Sequence, residues 1–233
     1  MAAVAGERVV LAAFDAESRR LAEVAGRLDD ASFARASPCV PWTAGELLCH
    51  VQMTMERLGG MLAEPEPGRS GLVTARGYYR ADERFSAAVN DERIASAQRG
   101  AADVTGAREL ARGFRGARDR AWSLITAAAP ERVVRTRHGD RMLLAEFLRT
   151  RVLELAVHGL DLAVAVDREP WLTEAAALVT TELLLGPPDA ARLREAAGWD
   201  QVTLIAKLTG RDPLTSAEAD LAGSLGVRWL ALG

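Results

Sequence analysis

The chain has 233 residues, enough for one large domain or for a domain of about 150 residues with a smaller partner. Its hydrophobic fraction is 49% but its aromatic fraction only 5%, so Leu, Ala and Val must fill the core, which favours helices over a β-sandwich. The net charge of −3 carries no basic stripe, and no apolar run approaches the roughly 20 residues of a membrane span, so neither nucleic acid nor a bilayer is an expected partner.

Residues 4–30 read as a first amphipathic helix, rich in Ala and Leu. A loop with two breakers, Pro38 and Pro41, follows. Thr43 and Glu46 have the spacing of a capping box and predict a second helix from Thr43 to about Leu62. The segment 64–71, EPEPGRSG, predicts an exposed loop, and 76–99 a further helical stretch. A third main helix is expected over 105–128, stopped by Pro130. Residues 131–141 read as a turn-rich connection with room for a short strand. A fourth main helix covers about 143–167 and ends before Pro170. Four long helices joined in this way predict an up-and-down bundle over residues 1–169. Beyond it, short helices at 173–185, 189–196 and 199–208, one more in the tail and a terminal strand suggest a small C-terminal α(+β) unit over 170–233.

The fourth helix carries the chemistry. Leu144, Leu148, Leu155, Leu162 and Val166 share one stripe, while Glu154, His158 and Asp161 fall on a neighbouring arc. With Val152, Leu153 and Leu160 on the far side, this helix is apolar nearly all round and must be buried. Its carboxylates then need a compensating charge, either a metal or an arginine such as Arg151. Glu154 and His158, at i and i+4, can converge on one ion, and zinc accepts such a mixed N/O set. Of the remaining histidines, His50 sits at the border of the second helix's core stripe, where a site could open into a cleft, whereas His138 lies in a polar turn and is expected to be exposed. Cys39 and Cys49 read as reduced thiols. Cys49 lies almost opposite the core stripe and is not counted as a ligand.

Two stretches resemble a known family. PCVPWTAGELLCHV (residues 38–51) resembles its Pro, Trp-Thr and histidine-bearing helix, and HGDRMLLAEFLRTRVLELAVHGLDLAVAV (138–166) resembles its Glu-Phe-Leu and Arg-x-x-Glu-x-x-x-His-x-x-Asp pattern. Together they are similar to the mycothiol-dependent maleylpyruvate isomerases of the DinB/YfiT-like metalloenzyme superfamily, and LTGRDPLT (208–215) resembles that family's C-terminal extension. The usual Pro-Gly-Trp is here Val40-Pro41-Trp42, and the extension is short.

The resemblance implies a mainly α, DinB-like four-helix bundle with a small C-terminal domain closing over the cleft. It also implies zinc or another divalent ion held by His50, Glu154 and His158. The implied activity is transfer or isomerisation on a small electrophile with mycothiol as cosubstrate, in a cytoplasmic, monomeric or homodimeric, actinobacterial enzyme. Asp161 is expected to orient His158 or to hold Arg151. Arg211 is the candidate to grip a carboxylate of the substrate or thiol. Trp42, either a packing anchor or a pocket wall, and Arg151 complete the candidate set. A thiol-independent metal hydrolase and a non-enzymatic binding or stress-response module are the rival readings.

Overall fold

In a computed structural model, residues 2–129, 131–227 and 230 are described. The first helix, α1 (Ala2–Ala25), is shorter than its sequence suggests. The chain turns at Gly26–Leu28, and Asp29 then caps a one-turn helix, α2 (Asp30–Phe33), by accepting from the Ser32 amide at 2.9 Å. The interruption has a structural use. The Asp30 carboxylate accepts from the Ala107 amide at 2.6 Å and so caps the later helix that starts there, α6 (Ala107–Ala127), whose own N-cap is a side-chain-less glycine, Gly106.

The expected capping box is present. Thr43 Oγ1 accepts from the Glu46 amide at 3.2 Å, Glu46 Oε2 accepts from the Thr43 amide at 2.7 Å, and α3 runs over Ala44–Ala63. The helical stretch expected over 76–99 is three pieces: α4 (Ala75–Tyr78), a 3-10 turn at Glu83–Phe85, and α5 (Ala87–Ala102). Asp82 and Ser86 are the reason, because their short side chains cap the turn and α5 respectively and outcompete a continuous helix. Helix α6 spans Ala107–Ala127; the expected stop, Pro130, lies outside the described residues.

The turn-rich connection is an antiparallel hairpin, β1 (Val133–Arg135) and β2 (Arg141–Leu143), with Val134 opposite Met142 and Gly139 at φ 82° in the turn. Helix α7 (Leu144–Ala165) follows directly, then α8 (Glu174–Leu185), α9 (Pro187–Ala197), α10 (Gln201–Leu208) and α11 (Ser216–Ser224). The end of the expected terminal strand lies outside the described residues, save residue 230.

Helices α1, α6, α3 and α7 form a closed ring in which each packs on two neighbours, with α1 across from α3. Phe14, Leu21, Leu47, Met55, Phe114, Leu148 and Leu155 fill the middle. Helix α8 lies against both α1 and α7. Val152 and Leu160 of α7 are buried in the apolar core to which α8 also contributes, so that helix has no need of a broad polar face. The protein is mainly α with a DinB-like bundle and a C-terminal extension. Among the described residues, no helix is long and apolar enough to cross a membrane.

Candidate metal centre

Helices α3 and α7 face each other in the ring, and each brings one part of the cluster. On α3, the capping box fixes the first turn, and His50 follows seven residues after Thr43, two turns along the same face. The Trp42 ring stacks on His50 with centroids 4.7 Å apart and planes at 26°, while its Nε1–H donates to the Ile94 carbonyl at 3.3 Å. On α7, Glu154 and His158 sit one turn apart.

Packing brings the three together. His50 Nε2 lies 3.5 Å and His158 Nε2 3.3 Å from the same oxygen, Glu154 Oε2. All three donor atoms fall within 4.8 Å of one another. Both His–Glu separations are longer than a good N–H···O bond. They match the spacing of about 3.4 Å expected between ligands on a tetrahedral ion with bonds of roughly 2.1 Å. The donor set therefore fits a divalent cation: two imidazole nitrogens and one carboxylate oxygen, converging and open on one side to a cavity.

Outside the cluster, Asp161 does two jobs. Its Oδ2 lies 2.9 Å from His158 Nδ1, so in the tautomer with the proton on Nδ1 the Nε2 lone pair points into the cluster. It also takes both arms of Arg211, Nε on Oδ1 at 3.0 Å and an Nη on Oδ2 at 2.9 Å. The arginine paired with Asp161 is thus Arg211 and not Arg151, and the carboxylate that Arg211 grips in this structure is a protein one. Arg151 is buried, lies over the Phe147 ring and stands 3.8 Å from Glu154 Oε1.

The charges follow from these contacts. Burial works against the Glu154 carboxylate, but its close contacts with the His158 and His50 imidazoles and the charge of Arg151 outweigh it and hold Glu154 well below the usual range. Burial likewise opposes charge on His158, and its hydrogen bonds with Asp161, Cys39 and Glu154 overcome that, holding it well above the ordinary histidine value. Burial, only partly offset by Glu154, brings His50 down to about 4, so it is neutral near pH 7. A cation in the cluster would replace the Nε2 proton that His158 otherwise shares with Glu154, leaving the Nδ1 proton on the Asp161 side.

The cluster lines a cavity of about 630 Å³ whose rim runs from Pro38 to Arg211. Several residues there were not assigned to the site from the sequence. The Cys39 thiol donates to Asp161 Oδ2 at 3.1 Å and lies 3.9 Å from His158 Nδ1. Cys39 approaches from the loop around the cis Val40–Pro41 peptide, and no periodicity marks a loop residue. His138 is half-buried on the cavity wall instead of exposed, because the hairpin turn folds inward; Arg137 Nε donates to its Nε2 at 3.0 Å, and burial followed by the charge of Arg137 lowers it to about 4. Arg57 does have a signal, since His50, Thr54 and Arg57 follow the i, i+4, i+7 spacing of one face of α3, and all three line the cavity. Cys49 is buried, since α3 is packed by α5, α6 and α7 and has no solvent side there; burial pushes its thiol up to about 11.

A DinB-like helical bundle with a His–His–Glu donor set in the lining of a polar cavity is the class that fold and site define. The family model of the mycothiol maleylpyruvate isomerase N-terminal domain matches residues 14–163, and the chain belongs to that family. The match includes His50, Glu154, His158 and Asp161 and ends before Arg211. Neither the curated proteins nor the solved structures gave a match.

Proposed function

We propose that the protein is a metal-dependent thiol transferase or isomerase that uses mycothiol on a small electrophile, with His50, Glu154 and His158 holding zinc. The observation that carries this reading is the convergence of three donor atoms within 4.8 Å at the wall of a cavity large enough for two small molecules. The family match supplies the thiol. A bound divalent ion would lower the pKa of a coordinated thiol and so provide a thiolate near neutral pH.

The chain's own residues prepare for that step. Asp161 keeps a proton on His158 Nδ1, which leaves Nε2 as a lone-pair donor. Trp42, stacked on His50, fixes the plane of that ring and bars water from one side of it. Arg151 balances the buried Glu154 carboxylate. Thr209, Gly210 and Arg211 border the cavity, and we assign residues 170–233 the role of closing over it. In an isomerisation the sulfur adds to a carbon of an alkene conjugated to a carbonyl, the former double bond rotates, and the carbon–sulfur bond breaks to return the thiol. In a transfer the bond stays and a proton neutralises the adduct. Neither route needs an oxidant.

The test has two parts. Protein purified without chelators should carry one zinc per chain by elemental analysis, and His158→Ala should lose it. Calorimetry should then show mycothiol binding to the zinc-loaded protein and no binding to the variant. Zinc without mycothiol binding would favour a hydrolase, and protein that takes up no metal would favour a binding module; either result ends the present reading.

A further inference from the structure

The cavity has a second chemical character that the cluster does not use. Six arginines line it (Arg57, Arg84, Arg93, Arg137, Arg151 and Arg211), against two carboxylates, Glu154 and Asp161. Three of the six have acids of their own. Arg84 pairs with Asp82 and Asp140, Arg151 faces Glu154, and Arg211 holds Asp161. The other three do not. Among the described residues, Arg57 has no hydrogen-bond or ion-pair partner, Arg93 bonds only Asn90 and the Arg84 carbonyl, and Arg137 bonds only His138.

They come from three elements, α3, α5 and the hairpin turn, and meet at one cavity. Arg57 and Arg137, together with Arg151, also line an adjoining cavity of about 510 Å³, so they stand where the two spaces adjoin. Arg57 is half-buried; burial first, then the charges of Arg137 and Arg151, pull its pKa down to about 10. Elsewhere in the chain arginines of similar burial find a carboxylate, as Arg118 does with Asp15 and Arg149 with Glu146 and Glu182. Unbalanced cations in a concave, partly desolvated space repel one another and focus a positive potential, and an oxyanion relieves both costs.

We infer that Arg57, Arg93 and Arg137 form a recognition site for an oxyanionic group, carboxylate or phosphate, at a distance from the reacting centre. Arg57 lies seven residues beyond His50 on α3, about 10 Å along the helix axis. The ligand is therefore a molecule whose charged group is remote from its reactive carbon. Arg211 is occupied by Asp161, so the anion is gripped from the α3–hairpin side. That this ligand is the electrophilic substrate rests on the function proposed above; the anion site itself does not.

The test is calorimetry on the full zinc-loaded chain with three probes: succinate, inorganic phosphate and uncharged succinamide. One of the two anions should bind, more weakly as salt rises, and succinamide should not. The tighter anion tells carboxylate from phosphate. The double variant Arg57→Gln/Arg137→Gln should weaken that binding at least tenfold, while Arg99→Gln, an exposed α5 arginine paired with Glu92, should leave it unchanged. Circular dichroism checks that the double variant is folded; if it is not, Arg93→Gln alone should still weaken binding severalfold. Equal binding of succinamide, no binding of either anion at millimolar concentration, or parent-like affinity in folded variants would overturn the inference. A carboxylate held only by zinc would show as parent-like affinity in the double variant. Zinc titration separates this test from the function: zinc uptake without anion binding removes only the anion site, and anion binding without zinc uptake removes only the metal reading.

Discussion

Among single residues, Asp161 has the widest reach. It fixes the tautomer of His158, accepts a thiol hydrogen from Cys39 and takes both arms of Arg211. Asp161→Asn keeps the shape but halves the acceptor capacity and removes the charge. We expect it to weaken zinc binding about 10–100-fold, as loss of an outer partner typically does, measured by competition with a chromophoric chelator. An unchanged affinity would show that His158 is oriented by packing alone. Glu17 is a second buried acid, away from the cavity lining. Burial raises its pKa despite hydrogen bonds from the Thr173 amide (2.9 Å) and hydroxyl (2.6 Å), and among the described residues its other oxygen has no hydrogen-bond partner. A carboxyl raised in the folded state favours folding below its ordinary range and loses that contribution as pH climbs through the folded value. The melting temperature of the parent should therefore fall relative to Glu17→Gln between pH 4 and pH 7, and a constant difference across that range would contradict the assignment.

At the scale of elements, what was legible depended on whether the signal was local. The capping box at Thr43 and Glu46 needs only four residues and is present as read. Thr43→Ala should cost about 1 kcal/mol in urea unfolding, because it strands an amide at the helix start that also sets the position of Trp42 and His50. A loss near zero would mean that the Ala36–Thr43 bridge holds the turn by itself. The i, i+4 pair on α7 is equally local, and the structure indeed places Glu154 and His158 around one point. The breaks at Gly26 and across 79–86 were hidden, because short polar side chains compete with helix there and the outcome depends on caps such as Asp30 on Ala107, made across 77 residues. The hairpin was half visible: Val133 and Val134 suggested a strand, but nothing in residues 136–140 announced that the turn would carry Arg137 and His138 into the cavity. Wall residues drawn from loops have no period to read.

Across the whole molecule, the ring of four helices depends on α8, which packs on α1 and α7 from outside the ring. Val179, Leu183 and Leu184 on α8 are buried in the same apolar core as Leu155 and Val152 on α7. A chain ending at 169 would uncover several large side chains, each worth about 1.5–3 kcal/mol when buried, against total stabilities of only about 5–15 kcal/mol. We expect that form to aggregate or to lose cooperative melting, whereas one ending at 186 should keep its helical signal with a lower midpoint. Cooperative melting of the shorter form would show that residues 1–169 stand alone. The family match ends at residue 163 and so stops short of both this helix and the far rim of the cavity.

The double grip of Arg211 on Asp161 joins parts of the chain separated by fifty positions. Asp161 is thus a fulcrum between the imidazole behind it and the downstream tail in front of it. A ligand that shifted the His158 ring would therefore bear on the carboxylate that also anchors Arg211 at the cavity lining.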